Sequence, residues 1–554
     1  MIKLATSEQS KYYVIASWAL LALCVLFPIL VFSLPVKIPI GAFYWDSYLY
    51  LDAQNRIATG QLPNVDFFPP VGALGYYLFY WLRLVLPESQ PMLAASWALI
   101  FVTVPLMAVV TWDSLKTNAV TTLLVVLGFA FFTIVPFNTT EYYSYPGYDG
   151  FAIYNRQGSQ LIYVVAAALL FMRQTWLQGV VIGLAMTALF SIKITAFLAA
   201  GLFCAYALLC GKISIRSTII AIIISAIILA ITELTTGIIS AYLRDIFELV
   251  TSNEGGLIGR LLQGGARTFG VCAPAALAGL LLLFAAKWQR LDHPAIWIFV
   301  ALAAGVFFES QNTGGQELIF VIPVIVYAMF IVLKSTIAPP MVGVLLLLGA
   351  AAALPPIVQT TQHAARATVT ALKQAPLEHE NLKSMGDVLV RDFLVERETE
   401  IRQHWQNYPE AMMHYVELGQ LPEFVLFQDF AFQAAWARNA DMAVTALLKK
   451  EAEGLEYKTI MNMDFTNPFA YLLDKEAPKH VAIGADPTRI VTKLREGEAE
   501  ALADTDIILV PQCPYTSNIR MLSDIYGPAL VDHKEVALSQ CHTALIHPRL
   551  QADW

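Results

Sequence analysis

Acidic, basic and amide side chains gather in a few short stretches of this otherwise apolar chain of 554 residues. The acidic and amide candidates are Asp46, Asp66, Glu141, Asp149, Glu309, Gln311 and Asn312, and the basic ones are Arg156, Lys193, Arg260 and Arg267. A carboxylate whose pKa is raised by partial burial can take a proton from a hydroxyl group. Cations in a low-dielectric site stabilise a leaving phosphate. These residue types therefore suit an enzyme that acts at the membrane interface on a lipid-linked substrate.

The composition excludes a wholly soluble protein. Hydrophobic residues make up 57% of the chain and charged residues only 14%, against roughly 25% charged residues in a typical soluble domain. A net charge of -8 gives no general attraction to nucleic acid, so we expect no nucleic-acid partner. Six cysteines are too few for a disulfide framework in a chain of this length.

The apolar residues fall in long runs up to about residue 358, and ionisable residues become frequent after it. We therefore expect an α-helical polytopic membrane domain over residues 1–358 and a soluble domain over 359–554. A span needs about 20 apolar residues. About eleven runs qualify, with the short ones near 160–210 the weakest: 14–34, 92–111, 119–137, 160–172, 177–194, 195–210, 217–236, 269–286, 295–309, 317–333 and 340–357.

Lys and Arg in short loops set the orientation of such a chain, since cytoplasmic loops are enriched in them. The relevant residues are Lys3, Lys11, Lys116, Arg173, Lys212, Arg216, Lys287, Arg290 and Lys334. All fall on one side if the aromatic segment 70–86 lies in the interface as an amphipathic helix. This predicts a cytoplasmic N-terminus and an external C-terminal domain, with the candidate residues on the external face. If residues 70–86 cross the membrane, the predicted orientation of every later segment is reversed.

Several residues of the predicted first external loop, residues 35–91, and one lysine at a span end also have purely structural interpretations. Asp46 follows the first span and is predicted to cap a helix that runs to Gly60. Asp52 and Arg56 are four residues apart on that helix and suit a surface ion pair. Asp66 suits a turn before Pro69 as well as a role in orienting Asp46 or the acceptor. A lysine at a span end, such as Lys193, often only extends to the interface.

The same loop resembles the GT-C superfamily, multi-span glycosyltransferases that use polyprenyl-phosphate sugars. The likeness is greatest to its protein mannosyltransferase and aminoarabinose transferase branch. It consists of an Asp after the first span, an amphipathic helix, a G-x-x-P-x-x-D-F segment and a P-P-x-G-x-L-x-Y-Y motif. The matching residues are Asp46, Gly60, Pro63, Asp66, Phe67, Pro69, Pro70, Gly72, Leu74, Tyr76 and Tyr77. The resemblance covers residues 10–160 well and the other spans by layout.

This resemblance implies a single displacement with inversion at the anomeric carbon and Asp46 as general base. The acidic pair of the mannosyltransferases is Asp46-Ser47 here. One carboxylate must therefore act alone, or Asp66 or Glu141 must assist it. Arg156, Lys193, Arg260 and Arg267 are the candidates for binding the donor phosphate, and we expect at least one of Arg260 and Arg267 to contact it. Glu141, Asp149, Glu309, Gln311 and Asn312 are the acceptor-binding candidates.

We expect no required cofactor. Asp46, Asp66 and Glu141 could hold a divalent cation by oxygen ligation, but no spacing demands it. The expected partners are a polyprenyl-phosphate sugar donor, a glycan, lipid or protein acceptor, and the lipid bilayer. The expected location is the bacterial inner membrane. The alternatives are an O-antigen-type polymerase or ligase with a pyrophosphate-linked donor, and a polytopic transporter or flippase.

The sequence pattern predicts helices in the C-terminal domain up to about residue 445, followed by a small α/β layer. Strands are predicted at 457–465, 479–485 and 505–511, and a helix over 488–503. Asp464, Asn467 and Asp486 follow or flank these segments as acceptor-binding candidates or turn residues. Cys513 and Cys541 can form one disulfide in an oxidising compartment or stay as free thiols.

Overall fold

The computed structural model describes residues 7–69, 71–141, 146–252, 256–285, 291–311, 314–422, 426 and 429–554. Lys3, Pro70, Lys287, Arg290 and Asn312 lie outside these ranges. The N-terminal part is a helical bundle and the C-terminal part surrounds a small sheet. A second, three-stranded sheet joins the two.

Each of the eleven predicted spans coincides with a helix or helix pair. The helices up to the third external loop are α1 (Ser7–Phe32), α2 (Asp46–Ala58), α3 (Leu74–Val85), α4 (Pro91–Trp97), α5 (Ile100–Ser114), α6 (Ala119–Ile134), α7 (Ile153–Phe171), α8 (Trp176–Ile192), α9 (Ile194–Leu209) and α10 (Ile215–Thr236). They are followed by α11 (Ile238–Ser252), α12 (Leu257–Arg267), α13 (Phe269–Ala285), α14 (Pro294–Gln311), α15 (Val321–Lys334) and α16 (Pro339–Ala371).

Within the described ranges, five helical segments are long and apolar enough to cross a membrane: Ser10–Phe32, Pro91–Ser114, Ile215–Thr236, Pro294–Gln311 and Pro339–Ala371. A sixth is possible if α12 and α13, bent by 88° at Thr268, count as one span. Helices α6, α8, α9 and α15 are apolar but shorter. The number eleven therefore stays a prediction.

Helix α7 lies at the centre of the bundle, where almost every one of its side chains is buried. It packs against α5, α6, α8, α9 and α15. This burial explains why the span carries Asn155, Arg156, Gln157 and Gln160, because neighbouring helices rather than lipid surround these polar groups. The polar start of α7 is therefore enclosed by protein rather than exposed.

Helix α3 has the features of the predicted interfacial helix. Tyr76 and Phe79 are buried, whereas Trp81, Leu84 and Val85 are exposed. An amphipathic helix with an outward apolar side suits the membrane surface.

The C-terminal part contains α17 (Asp392–Asn407), α18 (Pro409–Glu417), α19 (Phe430–Ala452), α20 (Phe469–Leu472), α21 (Glu498–Ala503) and α22 (Ser517–Tyr526). Its sheet has the order β4 (Ile460–Asn462), β5 (Ile507–Pro511), β7 (His542–Ile546) and β6 (Lys534–Ser539). Strands β4 and β5 are parallel and the other neighbours antiparallel. All five residues of β5 are buried, as expected for a strand covered on both faces.

Two sequence predictions in this part are wrong. Residues 479–485 form no strand, apart from a single bridge between Ala482 and Phe68. Of the helix predicted over 488–503, only Glu498–Ala503 is helical. Residues 479–485 instead lie against the first external loop, where the His480 N–H donates to Asp66 O at 2.5 Å and the Ile483 N–H to Phe68 O at 3.0 Å. These tertiary contacts override the local apolar pattern.

The three-stranded sheet ties the first external loop to the chain after α16. Strand β1 (Ile38–Pro39) is parallel to β3 (Val388–Val390), which is antiparallel to β2 (Ala375–Pro376). Helix α16 runs through the predicted domain boundary at residue 358 without a break. The residues just before Asp46 are consequently fixed from the C-terminal side.

Candidate active site

Asp46 is the first residue of α2. The prediction that it caps this helix is wrong by one position, since Trp45 is the cap residue and its side chain makes no capping hydrogen bond. A carboxylate in the first helical turn is stabilised by the helix dipole. Burial, and then the negative charge of Asp149, raise the pKa of Asp46 well above its usual range. A raised pKa makes the ionised Asp46 a stronger base.

The second external loop brings Asp149 beside Asp46. The Tyr148 N–H donates to Pro39 O and the Gly150 N–H to Ala42 O, both at 3.0 Å. A Cβ atom at Gly150 would lie 2.1 Å from Phe43 O, so the approach requires glycine. Burial raises the pKa of Asp149 to about 6, although its Oδ1 accepts the Phe151 N–H at 2.8 Å. Two carboxyl groups therefore influence each other's protonation here.

Arg156 lies in the first turn of α7, and Lys193 lies against that turn from the break between α8 and α9. Arg156 is buried, donates to Ser96 Oγ at 3.1 Å and to Pro136 O, and interacts electrostatically with Asp149. Its Nε has no hydrogen-bond partner among the described residues. Lys193 separates α8 from α9, and its Nζ donates to Asn155 Oδ1 at 2.5 Å. Both cations are buried among the neighbouring helices.

Glu309 and Glu317 form a second buried carboxyl pair. The Gly314 N–H lies 3.4 Å from Glu309 Oε2 and 3.1 Å from Glu317 Oε1. Thr140 Oγ1 donates to Glu317 Oε2 at 2.6 Å. Lys193 is close enough to interact electrostatically with Glu309, whose Oε1 has no hydrogen-bond partner within the described ranges. Of the neighbouring amides, Gln311 donates to Ser310 Oγ at 3.1 Å.

Asp66 and Glu141 are engaged in other contacts. Asp66 Oδ2 accepts the Leu62 N–H at 2.8 Å, and its Oδ1 pairs with Lys479 at 3.1 Å. Glu141 pairs with Arg366 at 2.6 Å. No three His, Cys, Asp or Glu residues within the described ranges are grouped so that they could hold a metal ion together. The two carboxyls proposed to assist Asp46 thus lie in ion pairs, whereas Asp149 interacts with it.

Helix α12 presents Arg260 and Arg267 beside an apolar groove of about 700 Å³. Residues of α12 and α14, with Phe269, line the groove: Ile258, Leu261, Leu262, Gly265, Ala266, Phe269, Ala303 and Val306. A Cβ atom at Gly264 would lie 3.4 Å from Glu309 Cβ, so α12 contacts the segment that carries Glu309. Arg260 is half-buried and its Nε has no hydrogen-bond partner in the described part of the chain, whereas Arg267 is exposed.

Three tyrosines around Asp46, namely Tyr50, Tyr76 and Tyr154, were not predicted to act in the site. The Tyr50 and Tyr76 rings lie 5.1 Å apart, and both side chains interact electrostatically with Asp46 and Tyr154. Tyr154 in turn lies 5.0 Å from Lys193 Nζ. Tyr50 follows Asp46 by four residues, so helical spacing alone could have identified it. Tyr154 could not be found this way, because its contacts depend on how α7 meets α2.

The polar candidates of the C-terminal domain make local contacts. Asp464 accepts the Trp436 Nε1–H at 2.8 Å and the Phe465 N–H at 2.6 Å. Asn467 donates to Ile460 O, and Asp486 accepts the Thr488 N–H. Cys513 and Cys541 are joined by a disulfide bond.

No protein-family model and no curated protein matches the chain. Solved structures similar to it include ArnT from Cupriavidus metallidurans, in the apo state and bound to undecaprenyl phosphate. They are 11% and 10% identical, and each covers 95% of this chain and 97% of the other with a TM-score of 0.45. The archaeal oligosaccharyltransferase AglB from Archaeoglobus fulgidus is 10% identical over 94% of this chain and 72% of that one, with a TM-score of 0.34. Since these TM-scores are below 0.5, the case for a reaction rests on this chain's own residues.

Proposed function

We propose that this chain is an integral-membrane glycosyltransferase that moves a sugar from a polyprenyl-phosphate carrier to a hydroxyl group of an external acceptor. The observation that carries the proposal is the placement of Asp46 at the start of α2, beside Asp149, which also interacts electrostatically with Arg156 of α7. A base and cations on one external face are what this reaction needs.

Asp46 acts as the general base. Its carboxylate takes the proton of the acceptor hydroxyl while the hydroxyl oxygen attacks the anomeric carbon. The bond between that carbon and the phosphate oxygen breaks, and the polyprenyl phosphate leaves with the bonding electrons. Inversion at the anomeric carbon follows from attack opposite the leaving group. Burial, and then the negative charge of Asp149, raise the pKa of Asp46, which makes its carboxylate a stronger base.

The donor phosphate is held by Lys193 and by Arg260. Lys193 is buried near Glu309, and Arg260 precedes Gly264 by one helical turn on the side of α12 that meets the same segment. The groove between α12 and α14 takes the first isoprene units, because it is apolar and lies between helices that face lipid. Arg156, with one unpartnered Nε, supports the Asp149 side of the site.

Asp66 and Glu141 hold the external loops in place through Lys479 and Arg366. Glu309, Gln311 and Asn312 bind the substrate. The acceptor is a glycan, a lipid or a protein, the membrane is the bacterial inner membrane, the N-terminus is cytoplasmic, and the C-terminal domain is periplasmic. A disulfide between Cys513 and Cys541 suits an oxidising compartment.

The test measures polyprenyl phosphate released from a panel of polyprenyl-phosphate sugars by purified protein in detergent, with a membrane extract as acceptor. We expect acceptor-dependent release by the wild type and none above background by Asp46→Asn. Asp524→Asn, an exposed carboxyl on α22, is the matched control. If Asp46→Asn released as much polyprenyl phosphate as the wild type, the protein would still be a transferase, but Asp46 would not be its general base. Release from pyrophosphate-linked donors alone would indicate the polymerase or ligase, and no release from either class would indicate a transporter.

A further inference from the structure

The residue before Asp46 is held by a side chain of the C-terminal domain. The Trp45 N–H donates to Gln433 Oε1 at 3.1 Å, across 388 residues of sequence. The N–H groups of Asp46, Ser47 and Tyr48 donate to the carbonyl groups three residues earlier, and the Trp45 side chain makes no capping hydrogen bond. The Trp45 N–H belongs to the cap residue, and in a capping box a side chain of the first helical turn accepts that N–H. Here Gln433 of the C-terminal domain accepts it instead.

Gln433 is itself rigidly placed. It lies in the first turn of α19, where Asp429 caps the helix by accepting the Ala431 N–H at 2.9 Å. Its side chain is 2% exposed. A buried amide that gives its oxygen to another segment fixes the distance between the two segments, because a buried N–H group left without a partner is destabilising.

Aromatic packing confines the same helix start. The Trp45 ring lies 5.8 Å from Phe432 and 5.1 Å from Phe465, centroid to centroid. One turn further along α2, Tyr48 stacks on Trp436 at 4.9 Å. The residues on both sides of Asp46 are thus held by the C-terminal domain.

We propose that Gln433 is a positioning residue for the transfer reaction. By accepting the Trp45 N–H it fixes the first turn of α2, and with it the position of the Asp46 carboxylate relative to the acceptor hydroxyl. The inference rests on the proposed function, in which Asp46 is the base. Displacement of a reacting group by about 1 Å can cost 100-fold in rate.

The test compares Gln433→Met, which has a similar length and no acceptor oxygen, with Gln433→Glu, which keeps one. Gln406→Met is the control, since Gln406 is an exposed glutamine of the same domain. Two quantities are measured in the full chain: hydrogen exchange of the peptide covering 43–50, and kcat and KM for the donor. We expect Gln433→Met to exchange faster and to lose roughly 10- to 100-fold in kcat, with KM changed less than about twofold. Gln433→Glu should recover the exchange protection and part of kcat.

The outcomes separate the two claims. An active wild type with an unchanged kcat in Gln433→Met overturns the positioning role and leaves the proposed function intact. A wild type inactive with every donor overturns the proposed function and the role together, while exchange still reports on the hydrogen bond. If Gln433→Met fails to fold, Gln433→Asn, which keeps a buried amide but is one methylene shorter, replaces it with the same expected losses.

Discussion

Arg56 Nε lies 2.9 Å from Asp52 Oδ1, and the two side chains are only 1% and 2% exposed. Arg56 Nη1 also donates to Pro478 O at 2.7 Å and to Gln61 Oε1 at 3.2 Å. The sequence predicted an ion pair on the surface. The pairing is correct, but the pair is buried. Its burial comes from residues 477–478, which contact Arg56 and Gln61 and lie more than 400 residues away in sequence.

Removing one partner of this buried pair should destabilise the protein strongly. Arg56→Met leaves the Asp52 carboxyl buried without its cation and leaves Pro478 O without its donor. We expect a loss of about 3–5 kcal/mol in the free energy of unfolding of the region around α2. Arg520→Met is the matched control, because Arg520 and Asp524 have the same spacing but are 41% and 68% exposed. Denaturant unfolding in detergent measures both, and equal losses would contradict the argument.

The pH dependence of turnover should report the carboxyl pair. A general base works only when ionised, so kcat/KM should fall as pH drops through the pKa of Asp46. Burial and the negative charge of Asp149 raise this pKa. Asp149→Asn removes that charge and should therefore move the acid limb to lower pH.

Full pH profiles of the wild type, Asp149→Asn and Asp524→Asn measure this shift. Residual activity in Asp149→Asn is sufficient, because the midpoint of the limb and not its height is compared. A midpoint that stays in place or rises in Asp149→Asn, while Asp524→Asn matches the wild type, would show that Asp149 does not control the base.

The contact of α11 with the first external loop should weaken as pH rises. Asn64 Nδ2 donates to Asp245 Oδ2 at 2.8 Å. Burial raises the pKa of Asp245 to about 7 and outweighs this hydrogen bond and Arg495, which both lower the pKa, while Glu248 adds to the increase. A raised pKa means that the folded state binds the proton more tightly than the unfolded state. The stabilisation is therefore complete below about pH 4 and is lost as pH rises towards 7.

Hydrogen-exchange protection factors of residues 239–251, corrected for intrinsic exchange, test this at pH 5.5 and 8. We expect the wild type to lose protection several-fold at the higher pH and Asp245→Asn to keep it at both. Glu248 faces Arg495 at 3.5 Å, and Glu248→Gln should leave the pH dependence of protection in place. Equal pH dependence in the wild type and Asp245→Asn would assign the effect to another group.

Elements defined by local sequence could be predicted, whereas features defined by contacts between distant parts of the chain could not. Apolar runs placed α1, α10, α14 and the strand β5 correctly, because such elements depend on local hydrophobicity. The chemistry-bearing residues Asp46, Asp149 and Lys193 were identified by residue type and position. Their grouping depends on close backbone approaches, such as that of Gly150 to Phe43, and on contacts such as Trp45 to Gln433. A single sequence contains no signal for these long-range pairs.

The choice between Arg260 and Arg267 as the phosphate contact can be settled by kinetics. Arg260 is half-buried and has an unpartnered Nε beside α14, whereas Arg267 is exposed at the end of α12. Because a hydrogen bond to a charged group contributes about 1.5–3 kcal/mol, Arg260→Gln should raise KM for the donor roughly 10- to 100-fold. Arg267→Gln should change it less than about threefold, since exposed charges are screened. Lys193→Gln should lower kcat more than it raises KM, because this buried cation would stabilise the charge that develops on the leaving phosphate. Steady-state kinetics with a soluble short-chain donor measures all three variants, and a larger effect of Arg267→Gln than of Arg260→Gln would reverse the assignment.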